Sequence, residues 1–314
     1  MSDSAGKLSR RARLVGGNRM ELLLFRLRGK QLYGINVFKV KEIIPCPPLT
    51  AIPNHNPIVR GVAHVRDGTI SIIDMGMAIR QPAMENPRTH VVIITEYNRR
   101  IQGFLVQAVD RIINVDWADV HPPPEGVGRN NYLSAVTEVK GELIEIIDVE
   151  KIIDTVNPIE GRISEGVIGE QIRAVAPRYH ILLVDDSSVA RHQVERCLDE
   201  IGIQRTSLSN GKEALEFLEN LIQEGIDINQ EFLMLISDIE MPEMDGYTLT
   251  AKIKRHPQMQ TLPVLLHSSL SGIFNEAMVK KVGADYFLAK YDADELANHV
   301  LDRIRQLEGI PQDA

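Results

Sequence analysis

The 314-residue chain has only two cysteines. Cys46 and Cys197 lie far apart and in no metal-ligand spacing. That argues against a disulfide framework and a zinc site and fits a reducing compartment. No apolar run approaches the ~18 residues that a spanning helix needs. The opening Met-Ser-Asp-Ser-Ala-Gly-Lys lacks the apolar core of a secretory leader. A cytoplasmic protein with no direct membrane insertion is expected. A basic surplus is also missing. Residues 1–157 carry 20 Lys and Arg against 17 Asp and Glu, and the remainder carries 15 against 26. An acidic half of this kind is a poor match for a phosphate backbone, so no nucleic-acid partner is expected. The basic tail (Lys7, Arg10, Arg11, Arg13) falls in a stretch, 1–19, expected to be a disordered lead-in.

What is present is an ordinary globular composition, 44% hydrophobic and 25% charged, at a length that suggests two domains. The first half reads as β. Strands are expected at 20–27, 30–35, 58–65, 69–75, 89–95, 101–106, 111–115, 133–139 and 143–148, with Arg28-Gly29 and Arg66-Asp67-Gly68 as turns. Val37, Val40 and Ile44 recur at helical spacing, so 37–44 is expected to be a short helix stopped by Cys46-Pro47-Pro48. Many short strands between Gly and Asn turns mean a barrel or sandwich. His55, His64, His90 and His121 have no partner at ligand spacing and read as surface or structural residues.

Residues 157–178 show no clean periodicity and contain Pro158, Gly161, Gly166, Gly169 and Pro177. They read as a mobile connection with a helical piece over 170–175. From His180 onward strands and helices alternate. Strands are expected at 180–184, 203–207, 233–237, 262–267 and 285–288. Helices are expected at 188–201, 211–222, 247–255, 274–282 and 293–307, with 223–230 an exposed loop. This alternation describes a doubly wound α/β domain.

The chemistry-bearing side chains fall at strand ends, where open α/β sheets bind ligands. His-Ile-Leu-Leu-Val runs into Asp185 and Asp186, and Leu-Met-Leu-Ile-Ser runs into Asp238. Three carboxylates at one sheet edge repel one another and raise each other's pKa. A hard, oxygen-seeking cation such as Mg²⁺ relieves this.

Two resemblances follow from these residues. Tyr33-Gly34-Ile35-Asn36, Val40-Lys41-Glu42-Ile43, Ile58-Val59-Arg60-Gly61-Val62, Val65-Arg66-Asp67-Gly68 and Ile70-Ser71-Ile72-Ile73-Asp74 occur in the order seen in the CheW family of chemotaxis coupling proteins. This resemblance implies an all-β domain over 20–156, built as a double five-stranded barrel that docks on a chemotaxis histidine kinase and on chemoreceptor tips. Arg66, Val40 and Glu42 match that family's interaction segments, although His64 stands where Asn is usual. The second half, 179–310, resembles the response-regulator receiver domain, a flavodoxin-like α/β fold. The resemblance implies Asp238 as phosphoacceptor, Ser268 as switch hydroxyl, Lys290 as the lysine after the fifth strand, and Phe287 at the aromatic switch position. It also implies Mg²⁺ held by Asp185, Asp186, Asp238 and the Glu240 backbone carbonyl. Tyr291 departs from the usual Pro after the lysine, and Glu240 and Leu270 flank the path of attacking water.

Together the halves resemble the CheV family of chemotaxis adaptors. This implies a phosphorylatable coupling protein, a signalling adaptor rather than an enzyme, found at membrane receptor arrays through its partners. Its regulation would serve adaptation feedback or act as a phosphate sink. Two rivals are a passive scaffold with an inactive receiver and a Mg²⁺-dependent aspartyl-phosphate phosphohydrolase. The second would need an Asp two residues after the nucleophile, where Glu240 stands. A DNA-binding regulator is disfavoured because the partner half is β-rich and offers no recognition helix.

Overall fold

A computed structural model of the chain describes residues 19–53, 55–66, 68–97, 100–124, 132–158, 161–268, 273–289 and 292–311. The chain divides into two compact units, with the boundary between Ile159 and Glu160.

The first unit is built from two mixed sheets. One has the order β8-β1-β2-β11-β10-β9: β1 Arg19–Arg26, β2 Leu32–Asn36, β8 Ala108–Asp116, β9 Val120–His121, β10 Leu133–Val139 and β11 Glu142–Ile147. The other has the order β3-β6-β7-β5-β4: β3 Val40–Pro45, β4 Val59–Val65, β5 Gly68–Asp74, β6 Val91–Tyr97 and β7 Arg100–Val106. The pairs β2/β11 and β5/β7 are parallel, and the others are antiparallel. The first sheet exceeds the expected five strands by the two-residue β9. Leu22, Leu24, Leu32, Val115, Ile144 and Ile146 form one apolar core here, and Ile72, Ile73, Ile93 and Phe104 are wholly buried in the second sheet. The short helix α1 (Met75–Ala78) follows β5, and α2 (Val149–Val156) follows β11.

The helix expected over 37–44 is absent. Only Val37–Lys39 forms a 3₁₀ turn, and Val40–Pro45 is a strand. The reason is a competing period. Val40, Glu42 and Ile44 share the less exposed side of an alternating strand, and the segment pairs with Val91–Thr95 of β6. Branched Val40, Ile43 and Ile44 favour that conformation, and sheet pairing overrides the weaker i, i+3 pattern.

The second unit has five parallel strands in the order β13-β12-β14-β15-β16: β12 His180–Val184, β13 Gln204–Leu208, β14 Met234–Asp238, β15 Val264–Ser268 and β16 Tyr286–Ala289. Each strand of its centre feeds both faces. Ile181 and Leu183 enter one apolar cluster, and Leu182 and Val184 enter the other. The helices are α3 Glu170–Val175, α4 Ser188–Ile201, α5 Gly211–Gln223, α6 Ile228–Glu231, α7 Gly246–Arg255, α8 Ile273–Val282 and α9 Ala293–Glu308. α6 replaces part of the loop expected over 223–230. Asp227 caps it by accepting the Asn229 N–H at 3.0 Å, and Ile228 is fully buried, so this short turn is held by its one apolar anchor.

Residues 161–178, aperiodic in sequence, pack against the core of this unit. Ile172 and Ala176 are fully buried there. The Ile163 N–H donates to Glu200 Oε2 at 2.9 Å. Ser164 donates from N and Oγ to the two oxygens of Asp294 at 2.7 and 2.6 Å, and these bonds hold the Asp294 carboxyl below its ordinary range.

Candidate functional site

The parallel register carries β12, β14 and β15 to a common carboxyl edge. Asp185 and Asp186 follow β12, Asp238 ends β14, and Ser268 ends β15. One carboxylate oxygen from each of Asp185, Asp186 and Asp238 lies within 4.8 Å of the others. Asp185 and Asp238 are buried at 0% and 1% exposure, and Asp186 is exposed. The site is therefore an acidic floor with one rim ligand open to water.

The two buried carboxylates are oriented by main chain. Asp185 Oδ1 accepts the Ser187 N–H at 2.8 Å, and the Asp185 carbonyl accepts from Arg191 Nη1 at 2.5 Å. Ser187 itself caps α4 through the Ala190 N–H, so the start of that helix and the Asp185 rotamer are fixed together. Asp238 Oδ1 accepts the Ile239 N–H at 2.7 Å. Across the sheet, His267 is the register neighbour of Asp238, and its Nε2 lies 3.5 Å from Asp185 Oδ2.

The turn after Asp238 folds tightly over the edge. Gly246 N–H donates to the Ile239 carbonyl at 2.9 Å, and a Cβ at Gly246 would meet the Asp238 carbonyl oxygen at 2.2 Å. Only glycine allows that approach. Glu240 is half-buried in the same turn. Burial first, then the charges of Glu240 and Asp245, push the Tyr247 phenol up to about 12, so it stays an uncharged hydroxyl at neutral pH.

Three all-oxygen donors at this spacing fit a small hard divalent cation. They do not suit a soft metal, because no thiolate belongs to the set and Cys197 is fully buried, its thiol pushed up to about 12 chiefly by burial.

Ser268 is fully buried at the end of β15, and Phe287 is half-buried against the core on β16, paired with Leu266. Lys290, Tyr291 and Leu270 lie outside the described residues. The sequence carries one signal for His267, an imidazole closing the apolar run Val264–Leu266.

In the first unit Arg66 and Glu42 are brought together: Arg66 Nη2 donates to Glu42 Oε2 at 2.5 Å. Val40 is half-buried on β3 two residues before Glu42. His55, His64 and His121 are exposed, His90 is half-buried, and none belongs to a metal-ligating group among the described residues.

Comparison with known proteins gives two domain matches, a CheW-like domain over residues 21–157 and a response regulator receiver domain over 181–301. Chemotaxis protein CheV3 of Helicobacter pylori is 31% identical over 90% of this chain and 93% of its own length. Chemotaxis protein CheV1 of the same organism is 28% identical, covering 94% of this chain and 97% of its own. Chemotaxis protein CheW of Rhizobium meliloti is 30% identical over 48% of this chain and 94% of its own. No helix among the described residues is long and apolar enough to cross a membrane.

Proposed function

The chain belongs to the CheV family of chemotaxis coupling proteins, a CheW-like domain joined to a response regulator receiver, and we propose that its coupling is regulated by phosphorylation of Asp238. In this proposal the first domain (20–156) links chemoreceptor tips to the chemotaxis histidine kinase. The receiver (179–310), reached through 157–178, accepts the phosphoryl group from that same kinase. The protein is an adaptor, not an enzyme acting on a foreign substrate. Its place at membrane receptor arrays comes through those partners.

The observation that carries the reading is the convergence of Asp185, Asp186 and Asp238 on one edge, with Asp238 at its buried floor. Asp186, Asp238 and the Glu240 carbonyl would hold Mg²⁺, and Asp185 would support it from the outer shell. When bound, Mg²⁺ neutralises the charge of the phosphoryl oxygens. The Asp238 carboxylate oxygen forms the new O–P bond as the N–P bond of the kinase phosphohistidine breaks. The bond from the Ile239 N–H holds Asp238 Oδ1 in place for this step. The Ser268 hydroxyl reports the phosphorylated state by turning toward a phosphoryl oxygen, and Phe287 follows by changing its burial. Lys290 supplies the positive charge on the opposite side.

Arg66, Val40 and Glu42 form the partner-facing surface of the coupling domain. The presence of all three acidic side chains at the site disfavours a passive scaffold. A phosphohydrolase is disfavoured because Glu240, in a tight turn, stands where that chemistry needs an Asp. Transfer of phosphate from labelled kinase to the intact chain, but not to its Asp238→Asn variant, tests the proposal.

A further inference from the structure

His267 touches both acidic segments of the site. Its carbonyl accepts the Ile239 N–H at 3.1 Å and so braces the residue that follows Asp238. Its side chain reaches the other way, placing Nε2 at 3.5 Å from Asp185 Oδ2. The imidazole is 5% exposed and the carboxylate fully buried. A desolvated imidazole is costly unless a polar group compensates it, and the charged group that faces its Nε2 is a carboxylate of the acidic floor. β15 is otherwise apolar up to this point, with Val264, Leu265 and Leu266 fully buried. A leucine would satisfy the strand equally well. Packing alone therefore does not account for histidine.

We propose that His267 is a positioning residue for the divalent cation. Asp185 Oδ1 is engaged by the Ser187 N–H, and Oδ2 lies 3.5 Å from His267 Nε2, so the imidazole stands beside the one Asp185 oxygen that this main-chain bond leaves to the site. Asp185 is thereby kept as an outer-shell carboxylate, and direct coordination falls to Asp186 and Asp238. Partners of this kind orient ligands and set metal affinity, and their loss costs about 10-fold or more. The proposal rests on the cation-binding reading of the acidic edge.

The test is Mn²⁺ binding to the full chain, followed by electron paramagnetic resonance, with Mg²⁺ as competitor. His267→Leu is expected to weaken both ions about 10-fold or more. His267→Gln keeps an Nε2–H at similar reach and is expected to restore most of the loss. Metal-free thermal melts establish that each variant is folded. Should His267→Leu fail to fold, His267→Asn, whose amide falls short of Asp185, is expected to bind more weakly than His267→Gln. Equal affinity across the folded variants overturns the proposal. So does tighter binding by His267→Leu, which would make the imidazole a competitor of the cation rather than its support. Asp186→Asn separates the two levels. If it abolishes binding while His267→Leu changes nothing, only the role of His267 falls. If it also changes nothing, or the unaltered chain binds neither ion, the cation-binding reading falls with it.

Discussion

Arg66 donates to Glu42 across 2.5 Å, tying the turn between β4 and β5 to strand β3 although the residues are 24 apart in sequence. The partners differ in exposure: the Arg66 side chain is 74% accessible and that of Glu42 18%. A pair so open to water contributes at most about 1 kcal/mol to stability, and most of the guanidinium remains available to a partner. Arg66 also adopts φ +50°, a left-handed conformation that costs a non-glycine residue about 1–2 kcal/mol. Arg66→Gly should therefore melt no lower than the parent yet lose kinase and receptor binding. Melting curves and pull-downs with each partner decide this. Undiminished binding by the folded variant would remove Arg66 from the coupling surface.

Glu240 is half-buried in the turn that follows Asp238, and a carboxylate beside the attack path would repel incoming hydroxide. The phosphorylated receiver should persist well beyond seconds at neutral pH, and Glu240→Asn should shorten its lifetime. Decay of labelled phosphoprotein measures both. A lifetime of seconds that Glu240→Asn leaves unchanged contradicts the role given to Glu240.

A pH effect is expected from Asp148, the cap of α2. Burial raises its carboxyl above the ordinary ~3.9, with Lys39 opposing and Glu150 reinforcing the shift. A carboxyl raised by folding costs stability while ionised, and that cost disappears as pH falls through the raised value toward the unfolded one. Asp148→Asn keeps an acceptor for the Lys151 N–H, now 3.0 Å from Asp148 Oδ1, and removes the charge. Urea unfolding should show the variant gaining stability at neutral pH, with the gain shrinking near pH ~4. A variant that is less stable at both pH values contradicts this.

Residues 161–178 should behave as part of the receiver. Ile172 is fully buried in its core, and Ile→Ala at such a site costs about 2–5 kcal/mol. A receiver fragment beginning at Tyr179 should accordingly unfold at lower urea than one beginning at Glu160. Matching midpoints for the two fragments would show that the segment adds nothing to receiver stability.

The receiver was legible in sequence because its central strands β12 and β14 are apolar on both faces and run into carboxylates, at Val184-Asp185-Asp186 and Ser237-Asp238. Two kinds of feature were not. Segments that gain their structure from tertiary contact carry mixed signals: 37–44 has helical spacing, yet Val40–Pro45 is a strand paired with β6, and Ile228 anchors a helix in what composition alone makes a loop. The link from His267 to Asp185 joins residues 82 positions apart. Only the strand order β12-β14-β15 brings them to one edge.

The central claim is that Asp238 receives the phosphoryl group. Incubation of the full chain with ³²P-labelled chemotaxis kinase and Mg²⁺, followed by gel separation, measures it directly. The account predicts label moving from kinase to this chain, no label on Asp238→Asn, and none when the divalent cation is chelated. Label appearing equally on Asp238→Asn, or failing to leave the kinase for the unaltered chain, would contradict it.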